Sequence, residues 1–135
     1  MKRVLVFLLV VVVLSSCTGD DNSRINNQII GEWKLMKAEI VSFSQNPSII
    51  DYSDENIIYN FKSEGKLVIT GEVNVGYLEG EYDYYFGDDY LGGTSGSKSL
   101  LVKINTAKWT YNLTNGEMKL GQSYVDGPDL FFKRK

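Results

Sequence analysis

Histidine is absent from the 135 residues, and its absence removes more chemistry than any residue present supplies. Without imidazole no Ser-His-Asp or Cys-His arrangement can be built, no His-ligated zinc, and no proton shuttle working near neutrality. The densest group of potential acid-base or ligating residues is acidic: Glu79, Glu81, Asp83, Asp88 and Asp89. Hard cations take such oxygens, but the glycine and terminal glutamate of a calcium loop are missing. Glu79, Glu81 and Asp83 alternate, so a solvated strand face opposite Tyr82 and Tyr84, followed by a polar loop, accounts for them. A glycosidase pair would require two of these carboxylates to meet across a cleft. The glycine-rich stretches lack phosphate-loop spacing and a following helix, which excludes nucleotide binding. The sequence therefore points to no catalytic residue, no metal and no cofactor. What remains is aromatic: Trp33, Phe61, Trp109 and Tyr111 share inward parity on the strands read below, among nine tyrosines. Such a set either fills a core or lines a cavity for one small apolar or amphipathic ligand.

The elements that would position these residues are strands. Trp33 and Leu35 alternate with Glu32 and Lys34, whereas further along Met36, Ala38 and Ile40 carry the opposite parity. A slip of one residue exchanges the faces of a strand, so the first strand should bulge or bend near Met36. Residues 45 to 55 contain Pro47, Asp51, Ser53 and Asp54 and read as a loop, with room for a short helical turn after Ser53. Ile57, Tyr59 and Phe61 alternate, Ser63-Glu64-Gly65 reverses the chain, and Leu67 and Ile69 resume the pattern through Val73 and Val75. Tyr82, Tyr84 and Phe86 form a further strand. Residues 87 to 96 lack periodicity and are rich in small residues, as a loop would be. Asn105-Thr106 separates two strands of opposite parity, and Asn115-Gly116 suits the hairpin turn that strand twist favours. Asp126-Gly127-Pro128 makes a last turn before Leu130, Phe132 and Arg134.

Eight strands result, at about 31–44, 57–62, 66–75, 80–86, 98–105, 107–113, 117–124 and 129–134. Short connections make neighbours in sequence neighbours in the sheet. An all-β fold is expected, an eight-stranded antiparallel up-and-down barrel, because closure removes exposed edges.

Ahead of this domain, Lys2 and Arg3 precede eleven unbroken apolar residues, Val4 to Leu14, and then Ser15-Ser16-Cys17. That layout is a secretion signal. Eleven helical residues rise about 16 Å, roughly half the hydrocarbon thickness of a bilayer, too little for a stable span. Leu14-Ser15-Ser16-Cys17 resembles a bacterial lipobox, which implies cleavage before Cys17 and a diacylglyceryl thioether on its sulfur. Cys17 is the only cysteine, so no intramolecular disulfide is available. The chain then divides into a signal peptide (1–16), a lipidated flexible tether (17–27) and the barrel (28–135), with a composition in the tether too polar to order itself. Asp20 and Asp21 resemble the export signal that carries some Bacteroidetes lipoproteins to the outer face of the outer membrane. From Cys17 onward there are 119 residues with 12 basic and 17 acidic side chains, hence a formal charge of −5. Such a surface repels phosphate backbones, and nucleic acid is not expected as a partner.

Gly31-Glu32-Trp33 is similar to the Gly-X-Trp signature of lipocalins. Phe61 to Leu67 (Phe-x-x-x-Gly-x-Leu) and Tyr111 to Leu120, with its Leu-Thr-x-x-x-x-x-Leu pattern, resemble segments of the lipocalin-like domain found in small Bacteroidetes lipoproteins. The resemblance spans most of the chain after the lipobox, and departs from secreted lipocalins in lacking a second cysteine and a C-terminal helix. It implies a barrel on a lipid anchor at the cell envelope, attached to the outer membrane on its periplasmic or outer face, with the membrane as one partner and a small hydrophobic ligand as another. The alternative is a surface module that holds a protein or glycan through exposed tyrosines and the loop 87–96.

Overall fold

A computed structural model of the chain describes residues 27–42 and 45–135. The expected secretion signal, Cys17 and the expected tether as far as residue 26 lie outside the described residues. A helical turn at 27–29 leads into β1 (Gly31–Ser42), β2 (Gln45–Asp51), β3 (Ile58–Phe61), β4 (Lys66–Thr70), β5 (Gly80–Asp89), β6 (Ser99–Ile104), β7 (Ala107–Thr114), β8 (Glu117–Gly121) and β9 (Pro128–Arg134). Strands β1 and β3 to β9 pair in that order, all antiparallel, and β9 returns to β1, so eight strands close an up-and-down barrel. β2 is an additional strand on β1.

Closure falls to β1. Along one edge it pairs with β9 from Trp33↔Arg134 to Ile40↔Pro128. Along the other it pairs first with β3, Gly31↔Phe61 to Lys34↔Ile58, and then with β2, Lys37↔Asp51 to Ser42↔Gln45. The β9 register runs Leu35↔Phe132 and then Lys37↔Phe131, leaving Met36 as the extra residue of a bulge. This is the expected bend, and it returns the apolar side to the interior: Trp33 and Leu35 before it and Ala38 after it are all fully buried. The turns foreseen at Gly65 and Asn115-Gly116 are present, with φ of 78°, 53° and 77°. Positive φ at both central residues is what a two-residue hairpin of this hand requires.

Four boundaries differ from the sequence expectation. Residues 45–51 are a strand rather than a loop. Pro47 suits β2 because β2 ends the sheet, where an imino nitrogen leaves no ladder bond unmade. The strand expected to run to Val75 stops at Thr70, where Gly71 takes φ of 96°. The irregular segment 71–79 nevertheless keeps Val73, Val75 and Tyr77 in contact with the core, which is why it mimics a strand in sequence. β5 runs on through Gly87-Asp88-Asp89, pairing with Leu101, Leu100 and Ser99, so the loop expected from 87 begins at 90. β8 stops at Gly121, and Ser123–Val125 form a 3-10 turn.

That turn is held from a distance. The carboxylate of Asp129, nearly buried, accepts the N–H groups of Gln122 (3.0 Å) and Ser123 (3.1 Å) and pairs with Lys119 at 2.8 Å. Replacing Asp129 by alanine leaves the Ser123 donor and the Lys119 cation without this acceptor, and should lower stability by about 1–3 kcal/mol in urea unfolding. An unchanged midpoint would show that the turn does not depend on this side chain.

Candidate functional site

The interior is aromatic, and its two ends are closed in different ways. At the end where β1 begins, Trp33 donates its indole N–H to the Ile29 carbonyl at 2.7 Å. The Arg134 guanidinium lies 4.4 Å from the Trp33 ring centroid and donates to the carbonyls of Ile30 (3.0 Å) and Gln28 (2.8 Å). Arg134 thus ties the last strand to the start of the chain across the face of Trp33, a stacking that guanidinium geometry favours. Phe61 meets Tyr84 edge-on with ring centroids 5.0 Å apart, and the Tyr84 hydroxyl donates to the Lys62 carbonyl at 2.7 Å.

On the opposite wall β7 carries Trp109 and Tyr111. Trp109 is buried and donates its indole N–H to the Tyr77 hydroxyl at 3.1 Å. Tyr111 is half-buried and meets Phe86 edge-on at 4.6 Å. Its hydroxyl is enclosed without a hydrogen-bond partner, and burial pushes it above the usual phenol range, the nearby Arg134 charge acting the other way. The four aromatics read from the sequence therefore all face the barrel interior. They do not form one cluster: each packs against a different partner, Arg134, Tyr84, Tyr77 and Phe86 respectively.

Beside Trp33 across the β1–β3 ladder, and reaching the irregular segment 71–79, sits a group that the sequence reading did not single out. Tyr59, fully buried on β3, stacks edge-on with Phe132 at 4.9 Å, and its hydroxyl accepts the Tyr77 N–H at 3.4 Å. Tyr77 also meets Tyr82 at 5.0 Å and donates its hydroxyl to the Ile104 carbonyl at 3.4 Å. Tyr52, just after β2, is buried with a hydroxyl that has no partner. Inward parity marked Tyr59 and Tyr82 equally with Phe61. Tyr77 and Tyr52 lie on irregular segments, where periodicity carries no signal.

The acidic residues disperse. Glu81 and Asp83 share Lys66, at 3.6 and 2.7 Å on the outer face. Asp89 pairs with Lys108 at 3.0 Å, and that hydrogen bond, with the Tyr90 N–H, holds its carboxyl below the usual range. Glu79 and Asp88 are exposed. Among the described residues no three carboxylates or other metal-ligating side chains gather. On the outer surface a groove of about 240 Å³ between β2 and β9 contains Phe131 with the Lys37 ammonium 4.2 Å from its ring. Its lining is a mixture of lysine, carboxylate and apolar side chains, with no convergent set of donors.

The interior thus offers apolar surface, indole N–H groups and phenol hydroxyls. Such groups are suited to hydrogen-bonding a neutral molecule. No family model, curated protein or solved structure matches the chain.

Burial raises the hydroxyl of Tyr59 above its ordinary value of 10.0, and does the same in Tyr77, Tyr84, Tyr111 and Tyr124. The fold favours the neutral phenol, so its contribution is complete below the unfolded value and is lost as pH rises through the folded one. Stability should therefore be insensitive to these groups up to about pH 10 and fall above it. Tyr59→Phe should make that fall shallower, measured by urea unfolding alongside phenolate absorbance. An alkaline slope identical to wild type would show that Tyr59 ionises as freely in the folded chain as in the unfolded one.

Proposed function

We propose that the chain is a lipid-anchored, non-enzymatic lipoprotein of the cell envelope whose lipocalin-like barrel binds a small apolar or amphipathic molecule in its interior. The observation that carries this reading is the closed eight-stranded barrel with an aromatic, neutral interior, standing behind a Leu-Ser-Ser-Cys segment. A barrel of eight strands has just the interior that side chains fill or that one small ligand shares with them. Two enclosed phenol hydroxyls without partners, on Tyr52 and Tyr111, support the ligand version. An enclosed polar group without a partner is costly, and a ligand or water that reaches it offsets the cost. Trp33, Phe61, Trp109 and Tyr111 are the walls such a molecule would meet.

Tyrosine placement favours the interior over the surface-module reading. Of the nine tyrosines only Tyr85 and Tyr124 are exposed, and Tyr90, the tyrosine of the segment 87–96, is half-buried. The anchor in this reading is Cys17, acylated at its sulfur, with the outer membrane as the surface held and the turn at 27–29 as the end of the barrel nearest to it. No catalytic residue, metal or cofactor enters it.

Native mass spectrometry of the protein purified from its own host should find a co-purifying small molecule released on unfolding. Protein that is uniformly empty would remove the ligand version. Independently, radioactive palmitate should label the wild type and not Cys17→Ser, and label retained on the variant would refute the anchor.

A further inference from the structure

The segment 71–79 crosses the barrel rather than extending its wall. Tyr77 accepts from Trp109 on β7 and donates to Ile104 on β6, while its N–H reaches Tyr59 on β3, on the opposite side of the barrel. A Cβ on Gly76 would lie 3.2 Å from Leu130 on β9, a tight approach, and the φ of 94° there is one that side-chain-bearing residues rarely adopt. Val73 is buried and Val75 partly so, while Leu78 stands exposed. The segment therefore lies across the far opening with its apolar side chains turned inward.

Beyond the packing of Val73, Val75 and Tyr77, its polar attachment runs through side chains. Among the described residues no backbone-to-backbone hydrogen bond ties 71–79 to the barrel. It is held by the three Tyr77 contacts and by the Tyr82 hydroxyl donating to Leu78 at 2.9 Å. Two of these four bonds, at 3.4 Å, are beyond the usual range of such bonds. A segment with few backbone bonds opens locally at low cost relative to the paired strands. In the same core cluster lies Tyr52, 3% exposed, its hydroxyl without a partner and close enough to Tyr59 for the two phenols to oppose each other's ionisation.

We propose that 71–79 is a plug that withdraws to admit a neutral, planar amphiphile, which takes the place of the Tyr77 ring beside Tyr82 and Trp109 and hydrogen-bonds the buried hydroxyls of Tyr52 and Tyr59. The ligand is planar because the vacated slot held a flat ring packed against two aromatic side chains, whose centroids lie 5.0 and 5.9 Å from that of Tyr77. It is neutral because the groups in contact with Tyr77 are phenols, an indole and a carbonyl, and an ion there would be desolvated without a counter-charge. It carries at least one hydrogen-bonding atom, since Tyr52, Tyr59 and the Trp109 N–H all lose or lack a partner once Tyr77 leaves. This inference rests on the interior-binding reading above and names its entrance and ligand class.

The test uses the full chain carrying Cys17→Ser, with 2-naphthol as the probe, titrated by calorimetry and by tryptophan fluorescence. Tyr77→Ala removes the ring that competes for the slot and should bind about ten-fold more tightly than the parent, the gain expected when a binding-competent state populated to about one-tenth becomes dominant. Adding Tyr52→Phe should take back about three-fold of that affinity, close to the worth of one neutral hydrogen bond. Tyr77→Phe keeps the ring and loses both hydroxyl contacts. It should bind about two- to three-fold more tightly than the parent, and decides the matter if the alanine variant fails to fold. Equal affinity in the parent and both Tyr77 variants overturns the plug. If a small molecule nonetheless co-purifies with the native protein, interior binding stands and entry lies elsewhere. If no variant binds and the native protein is empty, both readings fall.

Discussion

A sheet closes into a barrel only if one strand finds partners on both edges along its length, and here that strand is β1. Its twelve residues hold β9 on one side and β3 followed by β2 on the other. A flat strand could not do this, because the direction it needs beside β3 differs from the direction it needs beside β2. The bulge at Met36 supplies the bend, and by inserting one residue it also exchanges the faces, so that Leu35 and Ala38 both point inward despite their odd spacing. The added strand β2 keeps a free edge, whose exposed Asn46, Pro47 and Ser48 make a poor template for another strand.

The interior of the barrel is filled by side chains, and its two ends are shut in different ways. One end is tied by Arg134, which lies over Trp33 and bonds the carbonyls of Gln28 and Ile30 more than a hundred residues away in sequence. These are charge-assisted bonds at 2.8 and 3.0 Å, stronger than neutral ones. The other end is covered by a segment held through phenol, indole and carbonyl groups at up to 3.4 Å. The asymmetry is one of hydrogen-bond strength: charge-assisted and short at the Arg134 end, neutral and longer at the other.

Much of this was legible in the residues. Alternation gave the strands, the reversed parity after Leu35 marked the bend, and Asn115-Gly116 and Gly65 marked turns by their tolerance of positive φ. What was misread has a common cause. Pro47 and Asp51 look like loop residues, yet an edge strand tolerates both, and whether a strand is at an edge is a property of the sheet. Val73 and Val75 look like a strand, yet their alternate burial comes from lying across the barrel mouth. The 3-10 turn after Gly121 depends on Asp129, which is six residues beyond Ser123 and no local pattern connects them. In the candidate site, inward parity found Trp33, Phe61, Trp109 and Tyr111. The same rule would have found Tyr59 and Tyr82, but Tyr52 and Tyr77 acquire their places only through contacts.

The residues alone determined that the chain would fold as paired strands around an aromatic interior, that it contains no histidine chemistry, and that its one thiol follows an apolar run, residues 4–14. These follow from period, composition and order, which are properties of the chain itself. Tertiary structure decided which aromatics share a wall, which carboxylates are spent on lysines, which phenols are left without a partner, and that an irregular segment lies across the barrel rather than along it. Those outcomes depend on distances between groups remote in sequence, and such distances exist only once β1 has brought the two edges of the sheet together.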